Sequence, residues 1–150
     1  MNALRPLALL STALLAGCST QPVIISQNPT PHARYHLTVS DRSDLRRFVL
    51  TLKSFDDRPL CLNVNQWPNY FGQLHFGSTW VTLVSTEGKY PARDENFGTC
   101  IGPTCVIHIA PGSTLTGFIG YREFGSPAKI AGLSRRQLHV VVSPSVCEAR

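Results

Sequence analysis

What this chain lacks narrows it first. No H-E-x-x-H, G-x-S-x-G or comparable spacing occurs, so none of the local arrangements that seat a metal or an activated nucleophile on one element is present. No C-x-x-C pair occurs either, which argues against a zinc centre built from all of its thiolates. No apolar run reaches the about 20 residues that a helix needs to cross a hydrocarbon core. Charged residues are only 15% of the chain, and the 14 Lys and Arg are scattered along it rather than gathered into a stripe. The resulting net charge of +5 suits contact with anionic headgroups or acidic glycans, but it lacks the focus of a nucleic-acid footprint, and no nucleic-acid partner is expected. No long stretch keeps a 3.6 period, and no internal repeat or low-complexity segment is apparent.

What is present begins at the N-terminus. Arg5 precedes a short apolar stretch from Leu7 to Leu15, and Leu15-Ala16-Gly17-Cys18 ends it with two small residues before a cysteine. A positive n-region, a short h-region and small residues at a cleavage point are the parts of an export signal. The tetrapeptide resembles the lipobox of Gram-negative bacterial lipoproteins. The resemblance implies cleavage before Cys18, a diacylglycerol on its thiol and an acyl chain on its amine, and several chains anchor stably where one does not. With Ser19 rather than Asp after the cysteine, it also implies an outer-membrane location, the domain facing the periplasm. Residues 1–17 are therefore expected to be a signal peptide. Residues 18–32 are the lipidated cysteine and a tether rich in Ser, Gln, Pro and Asn, and residues 33–150 are one β domain.

Beyond Cys18 four cysteines remain, an even number in an oxidising compartment, so two disulfides are expected. Of the three pairings, Cys100–Cys105 is favoured because Ile101-Gly102-Pro103-Thr104 can turn the chain back on itself. Cys61–Cys147 then pins the C-terminal tail to an interior strand.

Period-two alternation dominates after Pro31. Tyr35, Leu37 and Val39 alternate with His36, Thr38 and Ser40, and Phe48, Leu50 and Leu52 with Val49, Thr51 and Lys53. The pattern recurs at 60–64, 74–76, 80–85, 105–110, 114–122 and 137–143, bounded by turn residues such as Asp56-Asp57-Arg58-Pro59. One short helix is expected around Pro127 to Leu133. Short strands without intervening helices predict an all-β fold, an antiparallel β-sandwich of about seven to nine strands in two sheets. The segment Ile109-Ala110-Pro111-Gly112-Ser113-Thr114-Leu115 is similar to the turn-then-strand of bacterial immunoglobulin-like modules, which makes the expected sandwich immunoglobulin-like. A small antiparallel barrel is the alternative.

His36, His75, His108 and His139 fall on the strand faces opposite the apolar set, where they read as ordinary solvent-facing residues; three brought together could instead hold zinc in a metal-dependent enzyme. The acidic residues cluster in turns, as Asp41 with Asp44, Asp56 with Asp57 and Asp94 with Glu95, where carboxylates usually accept local backbone hydrogen bonds. No catalytic residue, metal or cofactor is expected. The binding candidates are Trp67, Asn69, Tyr70 and Phe71, in a segment where Pro68 and Gly72 force a turn, together with Ile101 and Pro103 in the stapled loop. Trp67 and Phe71 have a plainer reading, folding back to close the open end of the sandwich. Arg42, Arg46, Arg47, Arg135 and Arg136 form a basic rim if their loops meet. The expected function is a non-catalytic, lipid-anchored envelope binding or assembly module contacting the membrane through its lipid and an envelope protein or glycan through its loops. An inhibitor or immunity protein against a periplasmic hydrolase is the alternative.

Overall fold

The strongest alternation in the chain produces its longest strands. In the computed structural model, which describes residues 33–74, 80–93 and 100–148, β1 (Tyr35–Arg42) pairs antiparallel with β2 (Arg47–Ser54). The reversal between them is a 3-10 turn at Ser43–Leu45, with Arg46 left-handed at φ 50° and Arg42 bonded through two nitrogens to Asp44. Along β2, Phe48, Leu50, Leu52 and Ser54 are buried while the residues between them are half exposed. This is the burial that a sheet with one covered face imposes.

Among the described residues seven further strands, the first six longer than two residues, complete three sheets. Those six are β3 (Leu60–Asn63), β4 (Val81–Ser85), β5 (Gly88–Pro91), β6 (Val106–Ile109), β7 (Thr114–Gly120) and β8 (Gln137–Val140). The two-residue β9 (Ser145–Val146) is the last. The strand orders are β1-β2-β7, β6-β3-β9 and β5-β4-β8, every pairing antiparallel. The fold is all-β and sandwich-like, and no sheet closes into a barrel among the described residues. Among the described residues three small sheets stand where the alternation predicted two. They still share one core, since Leu37, Leu50 and Leu52 of the first cluster with Leu60, Leu62 and Ile109 of the second and Leu83, Leu138 and Val140 of the third.

Of the strand expected at 74–76, Leu74 is buried but outside any strand, and residues 75 and 76 lie outside the described residues. The helix is found as α1 (Pro127–Gly132), with proline in its first turn, where no intrahelical donor is lost. Its open carbonyl end is closed by Arg136, whose Nη1 donates to the carbonyls of Ile130, Ala131 and Leu133 while Nε donates to Asp41 at 2.7 Å. Asp41 also accepts from the Tyr121 hydroxyl. Burial first, and then this hydrogen bond to a carboxylate, raises the Tyr121 pKa. Arg136 therefore belongs to an internal network, and Arg42 is paired with Asp44, so the expected basic rim loses these two members. No helix of the described residues is long and apolar enough to cross a membrane.

Candidate functional site

The segment after β3 wraps the free edge of β7, and each of its residues has a different task. Leu50 of β2 lies opposite Gly117 of β7, so the inner face of the sheet lacks a side chain at that point. Trp67 fills the gap. A Cβ added to Gly117 would stand 2.7 Å from the indole Nε1 and 2.9 Å from Pro68 Cγ, closer than real atoms approach. Trp67 is 4% exposed and lies in the core. It is thus removed from the expected contact set, because an apolar indole facing a missing side chain gains more from burial than from solvent.

From Trp67 the chain crosses the edge to the outer face. Gly72 accepts from the Gly120 N–H at 3.2 Å and packs on Phe118, where a Cβ at Gly72 would come within 2.3 Å of the ring. Its φ of +76° adds a second reason for glycine. Asn69 organises the turn. Its side-chain oxygen accepts from the N–H groups of Phe71 and Gln73, its side-chain nitrogen donates to Gln73 Oε1, and its backbone bonds both Gly72 and Gln73. This is an Asx-type turn. The amide expected to face a ligand is thereby engaged within the loop.

Tyr70 and Phe71 are what the loop presents. They are 80% and 55% exposed, with ring centroids 3.7 Å apart and planes at 37°. Close by, Arg47 lies 4.8 Å over the Phe118 ring and Arg122 Nη2 donates to the Phe71 carbonyl at 3.5 Å. One cation, Arg122, therefore borders the aromatic pair, and Arg47 covers the Phe118 ring on which Gly72 packs.

The stapled loop is tied to the same segment. Cys100–Cys105 is a disulfide, and Asn65, just after β3, donates to the Cys100 carbonyl at 3.1 Å and accepts from its N–H at 3.3 Å. Val64 N–H donates to the Cys105 carbonyl and Cys105 N–H to that of Gly102. Held on both sides, the turn carries Ile101 at 86% exposure, with Pro103 also exposed.

The second disulfide, Cys61–Cys147, joins β3 to the tail beyond β9, and His108 of β6 lies against it. The three strand histidines among the described residues do not gather. His36, His108 and His139 stand on three different sheets, and His75 lies outside the described residues. The only group of three metal-ligating residues among the described residues is Cys61, His108 and Cys147. Alternation placed His108 on the solvent face; its meeting with two sulfurs depends on which strands flank β3.

The turn carboxylates are mostly structural. Asp56 accepts from the Arg34 and Arg58 N–H groups, and the Arg34 bond above all lowers its pKa to about 2. Glu87 is lowered to about 2, by the Ser85 hydroxyl first and then the Ser134 N–H. Both values lie below the ordinary carboxylate values of about 3.9 and 4.3. The folded state thus holds fewer protons, and their stabilisation is complete above about pH 4 and lost as pH falls through about 2. An Asp56→Asn, Glu87→Gln variant should show a flatter decline of the urea midpoint over that window. An equally steep decline would place the acid sensitivity elsewhere.

Cys18, the tether, Asp94 and Glu95 lie outside the described residues. Comparison of the chain with protein-family models, curated proteins and solved structures returned no match.

Proposed function

We propose that this protein is a non-catalytic binding or assembly module of the Gram-negative envelope, lipid-anchored at Cys18 in the outer membrane and facing the periplasm, that captures a protein partner through Tyr70 and Phe71. The observation that carries this reading is an aromatic pair standing in solvent on a loop whose backbone is already ordered by Asn69, Gly72 and Gly120. A loop ordered before binding loses little entropy on docking, and large aromatics are the usual anchors of interfaces. A protein is favoured over a glycan because Asn69, the amide a sugar would use beside the rings, is engaged within the loop.

The test is affinity capture of the full chain from crosslinked envelopes, beside Tyr70→Ser, Phe71→Ser and beside Cys18→Ala. Loss of two aromatic anchors worth about 2 kcal/mol each should weaken capture by a hundredfold or more. Undiminished capture by the double variant would overturn the aromatic site, and a captured glycan would overturn the choice of partner. Cys18→Ala should abolish fatty-acid labelling and membrane retention; persistent labelling would remove the anchor.

Ile101 supports a second reading, inhibition of a periplasmic hydrolase by the rigid turn entering its cleft. An Ile101→Asp variant that lost inhibition of a protease or lysozyme, with partner capture intact, would favour it.

A further inference from the structure

The register of the second sheet brings three ligand-bearing side chains to one point. Cys61 is in β3, between β6 and β9. On one side it faces His108, and on the other it faces Ser145, two residues before Cys147, whose N–H donates to the Pro59 carbonyl at 2.9 Å. As a result His108 Nδ1 stands 3.6 Å from Cys61 Sγ and 3.6 Å from Cys147 Sγ. The two cysteines are half-buried and the histidine is exposed, so solvent and reductant reach the group.

Those two equal distances have a chemical meaning. In a tetrahedral zinc site, with Zn–S of about 2.3 Å and Zn–N of about 2.05 Å, a nitrogen and a sulfur ligand lie about 3.5 Å apart. The imidazole is therefore at ligand spacing from both sulfurs at once, and only the sulfurs must separate. We propose that reduction of the Cys61–Cys147 bond converts this group into a two-thiolate, one-imidazole site for zinc, with a fourth position open to water. The tail can give by the ångström or two required, because β9 pairs with β3 over only two positions.

The step balances. A dithiol reductant attacks one sulfur, passes through a mixed disulfide and leaves as its own disulfide, delivering two electrons and two protons to the protein. Each thiol then releases its proton to solvent on binding zinc, and neutral imidazole binds through Nδ1. Thiolate and imidazole are donors suited to zinc rather than to magnesium or calcium. The site is independent of the aromatic loop and of any partner it captures.

The test uses the full chain carrying Cys18→Ser, Cys100→Ser and Cys105→Ser, so that Cys61 and Cys147 are the only thiols. Competition with a chromophoric chelator should show one zinc bound per chain after anaerobic reduction and none in the oxidised form. Cobalt in place of zinc should give near-ultraviolet charge-transfer bands of two thiolates, and zinc should slow alkylation of both cysteines. His108→Ala, at an exposed position, should weaken zinc binding about tenfold or more and change the cobalt visible spectrum. Equal binding by the oxidised form, or no effect of His108→Ala, overturns the proposal. Circular dichroism covers the remaining case: if the reduced chain loses its sheet and zinc does not restore it, the proposal also fails.

Discussion

Replacing Cys61 and Cys147 together by serine should lower the unfolding free energy by about 4–5 kcal/mol, because this bond closes a loop of 86 residues and removes that loop's entropy from the unfolded chain. The short Cys100–Cys105 bond spans 5 residues and, in the same treatment, is worth only about 2 kcal/mol. Such a loss is a large fraction of the stability of an ordinary domain. It should appear in urea unfolding as a lower midpoint, and hydrogen exchange should show Val146 and Cys147 opening first, since two ladder positions and the Cys147 bond to the Pro59 carbonyl are then what hold the tail to β3. A loss below about 1 kcal/mol would mean that the unfolded chain gains little freedom when the bond is removed, against the chain-entropy account.

Trp67→Ala should destabilise by about 3–5 kcal/mol, the range for emptying a buried aromatic site. The indole fills the space opposite Leu50 that Gly117 leaves, so its loss opens a cavity beside two positions, Leu50 and Gly117, that are themselves fixed by strand pairing. Gly117→Ala tests the same contact from the other side, by overpacking, at about 1–3 kcal/mol. Tyr70→Ser and Phe71→Ser should stay within about 0.5 kcal/mol of the parent, as exposed positions usually do. If Trp67→Ala proved as mild as they are, the indole would be a surface group and the division between core and contact residues would be wrong. The contrast also decides how binding tests are designed, since loss of capture by a Trp67 variant reports unfolding as readily as lost contact.

Where a residue's environment is set by its near neighbours, the sequence is a good guide. Alternation at Tyr35–Arg42 and Arg47–Ser54 gives the strands and their buried faces, because a pleated chain sends successive side chains to opposite sides whatever it pairs with. The same local logic gives α1 its proline start, and the Gly-Pro turn favours the Cys100–Cys105 pairing that the structure shows. It fails for β5, whose Gly88 and Pro91 read as turn residues, and for β9, which is too short to show a period.

The candidate sites divide along the same line. That Tyr70 and Phe71 lie in a turn bounded by Pro68 and Gly72 is local information, and so is the solvent-facing register of His108. That Trp67 is buried was decided by a glycine 50 positions along the chain, and that His108 meets Cys147 was decided by β3 taking β6 and β9 as neighbours. The sequence by itself determined the all-β class and the faces of the long strands, and it favoured the two stapling pairs among three, because period, turn chemistry and cysteine count act over a few residues; the structure settled the pairing. Only the tertiary structure decided that the described strands form three sheets, which aromatics remain in solvent and which imidazole sits on a disulfide. Those outcomes depend on which distant segments close on one another, and that choice is made by the packing of the whole core.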